Sequence, residues 1–463
     1  METFDLVVIG AGTGGVSAAS RAKELGLSVC LVEKGDMGGT CLNRGCIPTK
    51  VMAGAAHSAK HMTSVLPRLG FELPEPVPHR WDKLLDRCRN VVGTLQRGLV
   101  ARLKREGVIV KKGTGCLAGP YLVDIEGTDT GRVSGKSIVL ALGSSPATIP
   151  GVKPNGKSIL TSDDIFKMPE RPASMVVVGG GAVGCEFASI FAAFGTRVTL
   201  LEMLPELLTG ADTDVIKRLT NLLRRRKIDI RTGTRVTAIS AGVPSGNSTS
   251  GLEVKVESQS GSDSLTVDMV LLATGRTFAT SGLGLDSVGI ETKNGAVIVD
   301  GHMKTSIPDY YAVGDCIGGK LLAHVAAMEG RIAAENAAGK DSVMSYRFIP
   351  WTVFTDPEVA WAGMTEKEAS RRGIEIETQK TSFSSVSRAW VDGETDGILK
   401  CVADTRSKVV IGVHAVGPGV SHFVGEICVA LKSSLTVEEW GRIVHAHPTM
   451  SEILMETFQQ MST

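Results

Sequence analysis

Two cysteines, Cys41 and Cys46, stand five positions apart in the stretch Gly39-Thr-Cys-Leu-Asn-Arg-Gly-Cys-Ile-Pro-Thr-Lys50. Sulfurs at that spacing can do thiol–disulfide chemistry if they meet. In a regular α-helix five residues mean about 7.5 Å of rise and roughly 140° of rotation, whereas bridged cysteines keep their Cα atoms within about 7 Å. A bond therefore requires the backbone between them to leave helical geometry. Gly45 permits that, and Pro48 suits the first turn of a helix starting just after. So short a loop restrains little unfolded-chain entropy, which makes stabilisation a poor reason for a bridge here. Accessible or strained disulfides tend to be the labile, catalytic ones. The spacing leaves two readings open: a redox-active pair, or two free thiols of which one is buried.

Two glycine runs suggest a second chemistry, the cradling of phosphate. Residues 5–9 are apolar and β-branched, which reads as a buried parallel strand. Gly10-Ala-Gly12-Thr-Gly-Gly15 follows, then a helical stretch over 16–25 and a second strand over 28–32, ending at Glu33. Gly10 allows the tight turn, Gly12 lets the backbone approach a pyrophosphate, and Gly15 allows close helix–strand packing. The helix N-terminus then faces the phosphate charge, and Glu33 stands where a carboxylate can hold ribose hydroxyls. The unit recurs as an apolar run at 175–178, Gly179-Gly-Gly181-Ala-Val-Gly184, a helix to Ala193, a strand over 197–201, and Glu202. The repeat predicts two bound dinucleotides. Glu202 would bond a ribose 2′-hydroxyl and repel a 2′-phosphate, and Met203, Leu204, Pro205 and Glu206 offer no arginine to receive one. NAD is therefore expected rather than NADP.

Two other carboxylates invite rival readings. Tyr310-Tyr-Ala-Val-Gly-Asp315 is an apolar strand ending in Gly-Asp. Asp315 there could accept from a ribityl hydroxyl, but taken alone it reads as a turn or N-cap residue before a helix expected over 321–331. In His445-Ala-His447-Pro-Thr-Met-Ser-Glu452, His447 could act as a general base oriented by Glu452. Thr449-x-x-Glu452 equally spells a capping box, and spacing alone favours the cap.

The elements that must position these residues follow from pattern. A long helix is expected over 81–105, and residues 143–156 read as a crossover between domains. Residues 240–264 are rich in Ser and Gly around an alternating run at 252–256, which predicts a hairpin with soft loops. From about Ser345 short strands (351–354, 399–402, 409–416) alternate with helices (365–372, 421–431, 436–443), a separate α+β domain. Thr436-x-x-Glu439 reads as its capping box.

Whole-chain properties exclude several classes. With 50 basic and 49 acidic side chains the net charge is +1, so neither nucleic acid nor a lipid surface is indicated. Of the nine cysteines, the seven apart from the pair are scattered singly, which is neither a secreted disulfide framework nor a zinc-type spacing, and no metal is expected. The chain opens Met-Glu-Thr-Phe-Asp, without a basic start before an apolar run, so no signal peptide is expected. The most apolar long window, 175–195, is broken by five glycines and Glu186, which speaks against a membrane span. The expected compartment is the cytoplasm.

The cysteine stretch, both glycine fingerprints, Ala312-Val-Gly-Asp315, Val353-Phe-Thr-Asp-Pro-Glu358 and His447-Pro-Thr-Met-Ser-Glu452 together resemble the pyridine nucleotide-disulfide oxidoreductases, nearly end to end and in the family's order. The wording Cys-Leu-Asn, Ile-Pro and His-Ala-His-Pro-Thr is similar to the branch that oxidises dihydrolipoyl groups. The resemblance implies an α/β fold with an FAD-binding domain (1–147), an NAD-binding domain (148–276), a central segment completing the FAD domain (277–345) and a dimerisation domain (346–463). Both nucleotide domains would be Rossmann-like. It implies that Cys41 exchanges with the dithiol substrate and that Cys46 lies against the flavin and gives the charge-transfer thiolate. Lys50 would pair with Glu186 near the flavin, Asp315 would bind the ribityl chain, and Gly143 and Gly275 would border the cofactors. His447, held by Glu452, would serve the cysteine pair of the other subunit of a homodimer. The implied partners are lipoyl domains of 2-oxo acid dehydrogenase or glycine cleavage complexes. Arg276-Thr-Phe-Ala departs from the family's Arg-x-Pro-Asn beside the cofactor cleft. A glutathione reductase-like enzyme would want NADP, which Glu202 opposes, and a diaphorase would ignore the cysteines.

Overall fold

The β-branched run near the start of the chain is buried on both sides because it becomes a central strand. In the computed structural model, which describes residues 1–74, 79–242 and 251–462, strand Glu2–Ile9 pairs in parallel with Val29–Glu33 on one side and Gly131–Leu140 on the other. The chain divides into two compact units. The first comprises Met1–Val51, Leu85–Ala147 and Arg276–Ser345.

The first unit is built on a seven-stranded sheet. Ile109–Lys112 extends its parallel part beyond Val29–Glu33. Strand Gly131–Leu140 does two jobs. Its start pairs antiparallel with Leu122–Glu126, which pairs in turn with Thr114–Gly119. Its end pairs in parallel with Tyr310–Ala312, which brings the late Gly-Asp segment beside the first glycine turn. Val7, Ile9, Cys30, Val32, Ile138 and Tyr310 fill the core of this sheet. Helices Thr13–Glu24 and Ala323–Ala337 pack against each other, with the Ser17 hydroxyl donating to the Ala327 carbonyl at 2.7 Å.

The second unit comprises Met52–Leu84, Thr148–Gly275 and Tyr346–Thr463. It holds a five-stranded, all-parallel sheet in the order 229–231, 197–201, 174–178, 269–272, 159–161. The alternating run expected as half of a hairpin is the middle of three antiparallel strands, Gly251–Ser258 between Arg235–Gly242 and Gly261–Val267. Part of the soft segment, 243–250, lies outside the described residues. The C-terminal part is a five-stranded antiparallel sheet with helices Val420–Lys432, Val437–Gly441 and Glu452–Ser462. Its core includes Phe383, Trp440 and Phe458, the last two stacked at 4.2 Å between ring centroids. Thr436 and Glu439 form the expected capping box, and Thr365 and Glu368 form a second. Among the described residues no helix is long and apolar enough to cross a membrane.

Candidate active site

Cys41 lies in the short helix Gly39–Arg44, and Cys46 opens the long helix Cys46–Ser64. Gly45 between them leaves helical geometry, at φ −130° and ψ −114°. Glycine is needed there for space: a Cβ would stand 2.9 Å from the Thr40 carbonyl oxygen and 3.3 Å from Cys41 Cα. The break lets the two sulfurs meet. Both cysteines are partly buried thiols, and their side chains hydrogen-bond each other. That bond, and then burial, pushes the Cys41 thiol far up, against the opposing pull of Thr13 and the Lys50 ammonium. Gly45→Ala is expected to cost about 1–3 kcal/mol through overpacking and to slow closure of the disulfide. An unchanged melting temperature and rate of thiol oxidation would show that the close approach is dispensable.

The two glycine fingerprints repeat atom by atom. Gly10 and Gly179 have φ of +101° and +111°, and a Cβ on either would stand 2.3 Å from a carbonyl oxygen, that of Ala141 or Ala273. A Cβ on Gly15 or Gly184 would collide with the carbonyl oxygen of Gly10 or Gly179, at 1.9 and 1.8 Å. Gly12 and Gly181 are the opposite case, with nothing within 4 Å of an added Cβ. Each is the N-cap of a twelve-residue helix that no side chain caps. Open space beside uncapped amides is what a pyrophosphate requires.

The acids at the two strand ends also match. Glu33 accepts from the Ala11 and Gly35 amides, both at 2.6 Å. Glu202 accepts from the Gly180 amide at 2.6 Å and the Leu204 amide at 2.8 Å. Each carboxylate is thereby fixed at the edge of its glycine turn, where ribose hydroxyls would reach it. The residues fit two dinucleotides. Gly143 and Gly275 both have positive φ, +73° and +111°, and open space where a Cβ would be.

Asp315 does not cap a helix. It lies in the short turn Gly314–Ile317, whose N-cap residue is Val313, and the long helix begins only at Ala323. Its carboxylate instead accepts from the Ser144 hydroxyl and stands 3.3 Å from Arg276 Nε. Sequence reasoning missed Ser144 and noticed Arg276 only as a departure. The two meet because strands Ser144–Pro146 and Arg276–Phe278 pair antiparallel, which no local pattern announces.

Glu452 satisfies both of its rival readings. Oε2 accepts from the Thr449 amide at 2.8 Å, as half of a capping box, and Oε1 stands 2.9 Å from His447 Nδ1. The other half is not made: the Glu452 amide donates to the Thr449 carbonyl at 3.4 Å rather than to the hydroxyl, which itself donates to the Ala446 carbonyl at 2.8 Å. Burial would raise the Glu452 carboxyl, but the Thr449 amide and the His447 ring outweigh it and hold it below the ordinary value. It therefore stays charged near neutral pH and fixes the ring through Nδ1, which leaves Nε2 for another partner. The stability linked to it is present above the ordinary carboxyl value and lost as pH falls through the lowered one. The His447 side chain is 69% exposed. Glu186, buried in helix Ala182–Ala193, accepts from the Phe354 amide at 2.9 Å. Lys50 stands in the first unit and Glu186 in the second.

One further cluster has metal-ligand chemistry: His57, Asp356 and Glu394. Cations already occupy its acids, since Lys60 Nζ lies 3.0 Å from Asp356 and 3.1 Å from Glu394, and Arg226 lies 3.0 Å from Asp356. It reads as an ion-pair network.

Comparison with known proteins places this arrangement. Residues 4–330 match the family model described as pyridine nucleotide-disulphide oxidoreductase, and residues 349–458 match that family's dimerisation domain. A dihydrolipoyl dehydrogenase of Thermus scotoductus is 36% identical over 465 residues, covering 100% of this chain and 98% of the relative. One from Bacillus subtilis is 34% identical over 466 residues, covering 98% and 97%. Among solved structures, LpdA from Mycobacterium tuberculosis superposes with a TM-score of 0.89 at 26% identity, covering 100% of both chains. The HOCl-induced flavoprotein disulfide reductase RclA from Escherichia coli gives 0.86 at 26%, covering 98% of this chain and 99% of that one.

Proposed function

This chain belongs to the pyridine nucleotide-disulphide oxidoreductase family, and we propose that its reaction within that family is oxidation of a dihydrolipoyl dithiol to the disulfide with reduction of NAD. The observation that supports this most is the contact between the Cys41 and Cys46 side chains across the Gly45 break. The family's cofactors, FAD and NAD, would be held by the first and second glycine turns, with Glu33 and Glu202 on their ribose hydroxyls. When bound, FAD would supply the two-electron relay between the thiols and NAD.

The protein's residues handle sulfur and protons. His447 Nε2 takes a proton from one substrate thiol, with Glu452 holding the ring. The thiolate attacks Cys41 Sγ of the Cys41–Cys46 disulfide; a substrate–Cys41 bond forms, the bridge breaks, and Cys46 leaves as thiolate. The second substrate thiol then attacks the substrate sulfur of that mixed disulfide, giving lipoyl disulfide and releasing Cys41 with a proton. The substrate loses two electrons and the cysteine pair gains them. The dimerisation-domain match supports a two-fold dimer, in which His447 serves the cysteine pair of the second subunit. Lys50, one turn into the helix that Cys46 opens, would carry the positive charge beside the flavin. The dithiol is presented by lipoyl domains of 2-oxo acid dehydrogenase or glycine cleavage complexes.

The test sets NAD reduction by dihydrolipoamide against NADPH oxidation by glutathione disulfide. The first is expected to dominate; dominance of the second would overturn the substrate assignment. Glu202 gives the coenzyme side its own check. A 2′-phosphate at its fixed carboxylate would place like charges together, which costs several kcal/mol. NADH is therefore expected to outperform NADPH in kcat/KM by about 100-fold or more, and Glu202→Ala to narrow that ratio. A ratio near unity in the unaltered protein would remove Glu202 from this role.

A further inference from the structure

The chain leaves the first unit after Ala147 and re-enters it at Arg276. Strands Ser144–Pro146 and Arg276–Phe278, next to those two points, pair as a two-stranded ribbon with Phe278 opposite Ser144. Arg276 uses its fork across this ribbon. Nε donates to the Ser144 hydroxyl and Nη2 to the Ser144 carbonyl at 2.8 Å. The Ser144 hydroxyl donates in turn to Asp315 Oδ2, and Arg276 Nε itself stands 3.3 Å from that oxygen. Among the described residues both contacts fall on Oδ2, which leaves Oδ1 for another donor. The group is largely sheltered, with the Arg276 side chain 20% and the Asp315 side chain 25% exposed. On the Asp315 side, the Gly314 amide is tied to the buried Glu329 carboxylate at 2.8 Å.

We propose that Arg276 is a positioning residue for FAD: with Ser144 it holds Asp315 Oδ2, so that Oδ1 is fixed to accept a hydroxyl of the cofactor's ribityl chain. The inference rests on Asp315 being a flavin ligand and adds what orients it. The chemistry favours arginine. A planar fork reaches a hydroxyl and a carbonyl of the same serine while its charge faces the carboxylate, which an ammonium does with less geometric control. The departure Arg276-Thr-Phe-Ala keeps this arginine, and the altered residues come after it.

FAD binding to the deflavinated protein, followed by flavin fluorescence, tests this together with the melting temperature of the apoprotein. Hydrogen bonds to charged groups are the stronger class, so Arg276→Met is expected to raise the FAD dissociation constant roughly ten- to a hundredfold. The KM for NAD should stay unchanged. In an Asp315→Asn background the same substitution should cost less than about threefold, because the group it orients is no longer charged. Ser144→Ala should also weaken FAD binding, and it serves if Arg276→Met does not fold. Unchanged FAD affinity in both variants would overturn the assignment, as would an Arg276→Met effect of equal size with and without Asp315. So would a lower apoprotein melting temperature with FAD affinity intact. Failure of the unaltered protein to take up FAD would instead sink the cofactor reading, and this inference with it.

Discussion

Cys46→Ser is expected to abolish NAD reduction by dihydrolipoamide, by more than about 10³-fold, while NADH oxidation by an artificial acceptor such as ferricyanide survives. The first reaction needs Cys46 as leaving group when substrate attacks Cys41, and as the thiolate left afterwards. Serine can be neither, because its oxygen does not form the bridge. Loss of a group that acts as part of a unit removes the whole unit's contribution, which sets the size of the effect. The second reaction bypasses the sulfurs and reports that FAD, NAD and the fold are intact. The two cysteines have different surroundings: the Cys41 thiol is pushed up by its bond to Cys46 and by burial. Cys41→Ser should block exchange equally but leave a Cys46 thiolate. If Cys46→Ser kept its dithiol-dependent activity, the reaction would have to run without the pair.

His447→Gln is expected to slow the dithiol half-reaction by roughly 10²–10⁴-fold, the range for a general base, with the artificial-acceptor reaction little changed. Glutamine keeps a polar group near Glu452 but cannot take the proton. The arrangement favours His447 over its neighbour. His445 Nε2 is engaged by Glu426 at 3.0 Å and Nδ1 lies 3.0 Å from the Ile443 carbonyl, whereas the His447 contact with Glu452 uses only Nδ1. A loss of less than about tenfold would remove His447 from the role. Rapid-mixing measurement of the substrate thiol step checks this directly, apart from hydride delivery to NAD.

What could be read from the chain alone depended on distance along it. Helix Trp81–Arg105 and strand Arg197–Leu201 were legible to the residue, because charge periodicity and the flanking glycines mark their ends locally. The glycine fingerprints were legible because each is one short turn whose parts touch one another. Strand Glu358–Gly363 was not, since it is buried on both faces and shows no alternation. Ile376–Ser382 was missed for the opposite reason, being a largely polar strand at the sheet edge. Glu452 was ambiguous because a cap and a histidine partner ask for the same acid at the same helix start, and here one carboxylate does both with its two oxygens. Asp315, taken alone, stayed open between a turn, a cap and a ligand because its partner Ser144 lies 171 positions away. Only the pairing of two short strands brings the two together.

The central claim is that Cys41 and Cys46 store electrons together with the flavin. Anaerobic titration of the purified, oxidised protein with a stoichiometric reductant counts that store. Uptake of two electrons for FAD and a second two for the cysteine pair is expected, the second two disappearing in Cys46→Ser. Uptake of only the flavin's two by the unaltered protein would contradict the account.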